Sequence, residues 1–278
     1  MGERKRVYIV VKTYPRISRE YSELVCTAGI MEDGSWIRLY PVPFRKLELD
    51  KKYPKYTWIE LDAERNKKDF RPETYRPNLE SIFVEPKQMK PDWDYRRKVI
   101  LDKTKVYTDM DELKSDARSR HVSLAVFKPT QVTGFKVEED ERNWDPDKLN
   151  ILKQLSLQQS FFQTPEELAQ EFKVVKKLPY KFRYVFNDCQ GKQSRMMIED
   201  WEIGMLFFNC LRAAKGDEKT AIEKVREKYY VEFLQRDLYL FLGTTLKHHN
   251  SSKNPFTIVG VFAPPKKTEP EQYSFFDS

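Results

Sequence analysis

Residues 23–40 read ELVCTAGIMEDGSWIRLY, and this stretch decides the fold class. Two apolar runs, Glu23–Ile30 and Trp36–Tyr40, flank the polar turn Glu32–Ser35. The turn contains an Asp-Gly pair, and two such runs around Asp-Gly predict a β-hairpin.

Short apolar runs of the same kind recur along the chain. The further predicted strands are Val7–Val11, Tyr56–Leu61, Ser81–Glu85, Val122–Phe127, Gln131–Val137, Tyr180–Phe186, Arg195–Ile198, Leu238–Leu242 and Phe256–Phe262. Helices are predicted at Trp93–Leu101, Asp109–Arg118, Leu149–Leu157, Thr164–Phe172, Trp201–Ala214 and Glu218–Phe233. Many short strands with few helices predict an α+β chain, mainly β, built from small β-barrels or sandwiches.

The chain is expected to divide into an N-terminal β domain and a C-terminal β domain that carries a helical pair. The predicted limits are 1–144 for the first domain, 145–179 for a linker with helices and 180–265 for the second domain. Residues 266–278 follow two prolines and are rich in charge, so they are predicted to be a disordered tail.

The composition favours a polyanionic partner. The 278 residues carry a net charge of +7, and the pI is about 9.0. Three distant cysteines give neither a disulfide framework nor a zinc pattern. The apolar run near the N-terminus is too short for a signal peptide or a membrane span. We therefore expect a cytoplasmic protein with no membrane partner and no cofactor.

One strand of the hairpin mixes aromatic rings with a cation. In an extended strand, Trp36, Arg38 and Tyr40 share one face, and Ile37 and Leu39 share the other. If the second pair faces the core, the first three side chains form a platform for stacking bases and binding phosphates of single-stranded nucleic acid. The alternative is that the two rings belong to the core and that the Arg38 stem packs beneath its charged head.

Further cations are candidates for the same role. Arg45 and Lys46 follow the hairpin, and Lys247, His248 and Lys253 lie in a polar loop between two apolar strands. Such a loop in an OB-fold can contact nucleic acid, whereas the alternative is a plain exposed hairpin loop.

The chain ends close to an aromatic peptide, Gln272-Tyr273-Ser274-Phe275-Phe276. It resembles the bacterial sliding-clamp ligands of the form Gln-Leu-(Ser/Asp)-Leu-Phe. Gln272, Ser274 and Phe276 match this form, and Tyr273 and Phe275 stand in place of the leucines. The resemblance implies docking on the clamp, with the two phenylalanines as apolar anchors. The alternatives are another protein partner, or packing of the rings on the body of the protein.

A wider resemblance rests on five stretches, which are Cys26–Ile30, Gly34–Pro41, Met197–Glu202, Phe241–Thr245 and Ile258–Phe262. Together they resemble prokaryotic proteins with a dual OB-fold domain, which are associated with genome defence and mobile elements. The resemblance implies two OB-like barrels, the second with a helical insertion, and a nucleic-acid-binding role. It implies no catalytic residue.

Catalytic patterns are weak. Glu60, Asp62 and Glu64 would share a strand face that could hold Mg²⁺ in a nuclease, but the lysine of restriction-type nucleases is missing, and a solvated strand edge is the alternative. The acidic run Glu199–Glu202 is interpreted as a helix cap. We predict no catalytic or metal-binding residue. The leading hypothesis is an adaptor that binds DNA or RNA, and the alternatives are a Mg²⁺-dependent nuclease and a purely protein-binding module.

Overall fold

The hairpin predicted at residues 23–40 is present. The computed structural model describes residues 2–18, 22–86, 92–119, 121–147, 149–150 and 175–267. In it, β3 (Ser22–Met31) pairs antiparallel with β4 (Trp36–Val42). Gly34 in the turn has φ +85°, and a Cβ there would lie 2.3 Å from the Lys103 carbonyl oxygen. The turn therefore requires glycine for its backbone conformation and for this close approach.

Around the hairpin, the N-terminal domain closes into a barrel of five strands. The remaining strands are β1 (Glu3–Lys12), β2 (Arg16–Ser18), β5 (Trp58–Arg65), β6 (Thr74–Pro77) and β7 (Phe83–Val84). The pairing runs β1-β3-β4-β6-β5, and β5 pairs again with β1. The β4–β6 pair is parallel, and the other pairs of the ring are antiparallel. Short 3₁₀ turns at Phe44–Lys46, Leu49–Lys51 and Leu79–Ser81 complete this domain.

The second domain begins after helix α1 (Trp93–Ile100). Its strands are β8 (Val106–Tyr107), β9 (Leu124–Phe127), β10 (Gln131–Glu139), β11 (Tyr180–Asn187), β12 (Gln193–Met197), β13 (Tyr239–Thr244) and β14 (Phe256–Phe262). Its helices are α2 (Met110–Ser119), α3 (Trp201–Ala213) and α4 (Glu218–Arg226), and α4 continues as a π-helical turn to Glu232 and a 3₁₀ turn to Gln235.

Two sheets form the second domain. One has the order β10-β11-β12 and the other has the order β14-β13-β9-β8. A parallel bridge between Ile198 and Ile258 joins β12 to β14. Apolar side chains from both sheets and from α2, α3 and α4 fill the space between them.

The sheets divide the chain earlier than predicted. Strands up to β7 belong to the first domain, whereas in the described part of the chain β8, β9 and β10 pair only with one another or with later strands. The change lies between Ile100 and Val106, not in the predicted linker 145–179. Sequence patterns missed this because β10 finds its partner β11 beyond that linker, and local composition does not report such a long-range pairing.

Most predicted elements within the described residues are confirmed, with end points shifted by a few positions. The predicted strands and helices from Trp93 onward match β9 to β14 and the four helices, whereas the short strands β2, β6 and β8 were not predicted. The predicted helix Thr164–Phe172, nearly all of Leu149–Leu157 and the peptide Gln272–Phe276 lie outside the described residues. Within the described part, no helix has the length and apolar character needed to cross a membrane.

An apolar layer joins the two domains. It contains Tyr8 and Val10 from the outside of the barrel and Val126, Phe241 and Phe262 from the second domain. Burial of apolar side chains on this scale is the main source of stability for a domain interface.

Within this junction, an ion pair is buried. Lys55 precedes β5 and is 6% exposed, and Asp200 precedes α3 and is 0% exposed. The Lys55 ammonium donates hydrogen bonds to Asp200 Oδ2 at 3.2 Å and to Glu202 Oε2 at 2.9 Å. Burial raises the pKa of Asp200 to about 6, against the attraction of Lys55. Burial opposes the charge on Lys55 and is the largest single effect, but the combined attraction of Asp200, Tyr56 and Glu202 outweighs it and raises the Lys55 pKa.

Asp200 has two further tasks. It is the N-cap of α3, since its Oδ1 accepts a hydrogen bond from the Glu202 amide at 3.3 Å, and this confirms the capping interpretation. Its Oδ2 also accepts from the Val261 amide of β14 at 3.3 Å. One carboxylate therefore links the first domain, a helix and a strand of the second domain.

Loss of this carboxylate is expected to destabilise the protein. Asp200→Ala leaves the Lys55 charge buried with one partner fewer, so the free energy of unfolding should fall by about 3–5 kcal/mol. Urea unfolding followed by tryptophan fluorescence measures it. Glu80→Ala is the control, because its surface pair with Lys51 contributes little.

A double variant makes the same test stricter. Lys55→Met with Asp200→Leu removes both charges, so it should recover much of the stability lost in Asp200→Ala. If Asp200→Ala unfolds at the same urea concentration as the Glu80→Ala control, the buried pair is not what joins the domains.

Candidate functional site

The strand face predicted to bind nucleic acid is covered by the second domain. Ile37 and Leu39 face the barrel core as expected. Arg38 on the opposite face is only 1% exposed. Its guanidinium donates to Ser123 Oγ at 2.7 Å, to the Ser123 carbonyl at 3.0 Å and to Thr74 Oγ1 at 3.2 Å. The prediction that Arg38 belongs to an exposed platform for nucleic acid is therefore wrong, because the segment before β9 packs over this face of β4.

The two aromatic residues beside Arg38 are half-buried. The Trp36 ring meets the Phe241 ring edge-on, with centroids 5.9 Å apart, so it belongs to the domain junction. The Trp36 side chain also lines a cleft of about 420 Å³ between the domains. The Tyr40 carbonyl accepts a hydrogen bond from Asn66 Nδ2 at 3.3 Å. For Trp36, the alternative in which the ring contributes to packing describes this strand better.

The other predicted contact residues lie on two separate surfaces. Arg45 is exposed on the 3₁₀ turn after β4, and the Lys46 side chain is outside the described part of the chain. Lys247, His248 and Lys253 are exposed in the loop between β13 and β14. Arg45 lines one groove and Lys253 lines another, so the structure does not bring these residues into one site.

The groove that contains Arg45 lies where the two domains meet. We call it the junction groove, and it has a volume of about 820 Å³. It is lined by Tyr14, Arg45, Val175, Lys176, Trp201, Met205, Phe208, Leu211, Arg212, Lys215 and Gly216. The lining therefore has four cations and three aromatic rings, and none of these lining residues is acidic.

Helix α3 supplies five of the eleven lining residues. Trp201, Met205, Phe208 and Arg212 follow one another at helical spacing and point into the groove. Residues on the opposite side of the helix, among them Phe207, are buried in the second domain. The buried face fixes the rotation of the helix and so leaves the aromatic and cationic face open.

Tyr14 from the first domain completes the aromatic wall. Its ring stacks on Phe208 at 6.4 Å between centroids, with an interplanar angle of 27°, and it lies 6.4 Å from Trp201. Gly204 makes this possible, because a Cβ there would lie 2.2 Å from the Tyr14 ring. The Tyr14 hydroxyl donates to the Lys176 carbonyl at 2.7 Å and fixes the backbone beside the groove.

This combination can bind an anionic chain that carries flat rings. Exposed cations attract phosphates, and half-buried aromatic faces stack with bases in a sequence-tolerant way. The sequence pattern does not single out Trp201 and Phe208, because apolar residues at helical spacing are typical of core packing. The run Trp201, Phe208, Arg212 and Lys215 on one helix face was the signal that could have revealed them.

Comparison with family models supports the division of the chain. Residues 106–278 match the model of the Domain of unknown function (DUF8757). The chain belongs to the DUF8757 family. Residues 3–102 match a second model, the Domain of unknown function (DUF8758). The two matches meet where the sheets change, and the DUF8757 part includes α3 and most of the junction groove. No curated protein matches the chain.

The carboxylates considered for a nuclease lie on β5 of the DUF8758 part. Glu60 and Asp62 both face Arg4, whose guanidinium nitrogens lie 3.3 Å and 3.7 Å from them. Among the residues that the structure describes, no group of three or more His, Cys, Asp or Glu side chains is arranged to hold a metal ion.

The burial of Arg38 yields a prediction that separates a packing role from a binding role. Arg38→Ala should lower the free energy of unfolding by about 3 kcal/mol or more, because each buried acceptor left unsatisfied costs about 1–3 kcal/mol. Thermal and urea unfolding measure the change. Lys253→Ala, at an exposed predicted contact, should stay within about 0.5 kcal/mol of the wild type. Equal stability of both variants would restore a surface role for Arg38.

Proposed function

We propose that this protein binds single-stranded nucleic acid, DNA or RNA, along the junction groove. The observation that carries the proposal is the groove lining, where cations surround Tyr14, Trp201 and Phe208 without a carboxylate. A duplex keeps its bases paired and stacked in its interior, whereas a single strand can present phosphates to the cations and bases to the rings. Binding sites also favour domain interfaces, where two surfaces form a concave wall.

Both domains are OB-like barrels in this proposal. In the first domain the pairing follows the order β1-β3-β4-β6-β5 and returns to β1. In the second domain, β10-β11-β12 continues through the Ile198–Ile258 bridge to β14, β13 and β9, and β9 directly precedes β10. We count five strands in chain order in each circuit, leaving out β2, β7 and β8 and taking β9 and β10 as one bent strand. Both circuits then pair their strands in the order 1-2-3-5-4 and return to strand 1. In each circuit the third and fifth strands meet in parallel, as in a five-stranded Greek-key barrel of a type that binds oligonucleotides.

The proposal assigns different tasks to the two barrels. The first uses the outside of β4 to dock on the second, as the buried hydrogen bonds of Arg38 indicate. The second contributes α3, which lies between its third and fourth strands, to the binding groove. The helical insertion is therefore the main source of ligand contacts.

Reversing two charges of the groove tests the proposal. Arg212→Glu with Lys215→Glu should weaken binding of a single-stranded oligonucleotide strongly and lower the salt slope, because each lost phosphate contact removes about 0.7 from the slope of log K against log salt. Fluorescence anisotropy at several salt concentrations measures both quantities. Lys219→Glu with Lys224→Glu is the matched control on α4, outside the groove.

Four outcomes are informative in this experiment. Loss of binding only in the groove variant supports the proposal. An equal loss in the control variant contradicts it, because the loss then follows from net charge and not from the groove. Absence of binding by the wild type at low salt contradicts it and favours a protein-binding module. Cleavage with Mg²⁺ that is lost in Asp62→Ala would instead favour the nuclease alternative.

Recruitment to the bacterial sliding clamp is the second part of the proposed function. Its support is the peptide Gln272–Phe276, whose glutamine and terminal phenylalanine match the clamp-ligand form and which lies outside the described residues. Together with the dual OB-fold resemblance, it suggests an adaptor in genome defence or mobile-element biology that brings nucleic acid and clamp together.

Removal of the two anchors tests clamp docking. Phe275→Ala with Phe276→Ala should abolish binding to the purified clamp, because apolar anchors carry most of the energy of such short peptides. Calorimetry with the intact protein measures the binding, and the variant carries no other substitution. The same variant should keep its affinity for oligonucleotides. No binding by the wild-type protein in both a pull-down and calorimetry would exclude this partner.

A further inference from the structure

A second cationic groove lies on the second domain. It has a volume of about 750 Å³ and is lined by Asp111, Lys114, Ser115, Arg118, Ser119, Lys192 and Lys253. The cations come from three elements, which are α2, the turn between β11 and β12, and the loop between β13 and β14. We call it the α2 groove. It shares no residue with the junction groove.

The α2 groove has a strong excess of positive charge. Its lining has four cations and a single carboxylate, Asp111. Asp111 lies 2.8 Å from the Lys192 ammonium and 3.0 Å from the Lys114 ammonium. Hydrogen bonds from these two lysines lower the pKa of Asp111 to about 2. The Asp111 carboxylate therefore orients two lysines, and the charges of Arg118 and Lys253 have no acidic partner among the lining residues of the groove.

The helix presents these groups because of its periodicity. Met110, Leu113 and Ala117 are buried in the core of the second domain. Lys114 and Arg118 lie one turn apart on the open side, each followed by a serine, at positions 115 and 119. Ammonium, guanidinium and hydroxyl groups that converge on one groove are typical donors to phosphate oxygens.

Comparison of the two barrels within the chain shows why this place is open. In the first barrel, the turn between β3 and β4 and the loop between β5 and β6 line the cleft beside Trp36. Val122, Leu124 and Ala125 of the second domain close that cleft from the other side. In the second barrel, the corresponding turn and loop carry Lys192 and Lys253, and they line the exposed α2 groove.

We infer that the α2 groove binds the phosphate backbone of the same nucleic-acid strand that occupies the junction groove. The inference rests on the proposed function. Lysines, an arginine and serines fit phosphodiester oxygens, and the α2 groove lining contains no aromatic residue for base stacking. The junction groove then holds bases and phosphates, and the α2 groove holds only the backbone of the continuing strand.

Strand length provides the test. Single strands of about 8 and about 30 nucleotides are compared by fluorescence anisotropy, since one OB-fold covers about 4–16 nucleotides. Arg118→Glu with Lys253→Glu is the test variant, and these two cations are chosen because neither pairs with Asp111. Lys219→Glu with Lys224→Glu is again the matched control, and circular dichroism verifies that each variant is folded.

We expect the test variant to bind the long strand more weakly than the wild type does, and to bind the short strand with unchanged affinity. The salt slope for the long strand should fall by about 1.4, because two phosphate contacts at about 0.7 each are lost. If the affinity for both lengths stays at the wild-type value, the inference is overturned while binding in the junction groove stands. An equal loss for both lengths also overturns it, since the α2 groove would then be part of the primary site.

Two further outcomes are separable. If the test variant loses binding of inorganic phosphate in calorimetry but keeps the wild-type affinity for the long strand, a site for free phosphate replaces a backbone site, and this form of the inference is wrong. If the wild type binds neither strand, the proposed function fails together with the inference.

Discussion

The buried pair of Lys55 and Asp200 is the constraint on which the rest of the structure depends. Two opposite charges without access to water persist only where they contact each other and further donors, so their positions are held narrowly. Asp200 also begins α3 and receives the Val261 amide. The pair therefore fixes the barrel of the first domain against the helix whose exposed face lines the junction groove.

A second consequence concerns which surfaces are free to bind. The outer face of β4 in the first barrel packs against the second domain, where Arg38 is buried and the Trp36 ring contacts Phe241. The aromatic and cationic chemistry expected on that strand appears instead on α3, which the second domain inserts between β12 and β13. The two domains thus differ, because the first covers this strand face by packing and the second leaves one face of α3 open.

Much of the fold could be predicted because local patterns suffice for strands and caps. The Asp-Gly turn specified the hairpin, and Asp200 before an apolar helix specified a cap. The domain boundary could not be predicted, because β10 pairs with β11 across forty positions of intervening chain. The burial of Arg38 was equally inaccessible, since exposure of a strand face depends on what another domain places over it. Trp201 and Phe208 are predicted as helical residues, but which side of the helix is open depends on the burial of Phe207 and on the position of Tyr14, which a local pattern does not report.

Contact between nucleic acid and the aromatic wall of the junction groove can be measured directly. Ultraviolet cross-linking of a single-stranded oligonucleotide, followed by mass spectrometry of the digested protein, tests it at the level of single residues. We expect cross-links on the peptides that contain Trp201 and Phe208, and none on Trp36, which packs within the domain junction. Cross-links concentrated on Trp36 and Tyr40, with none on α3, would contradict it.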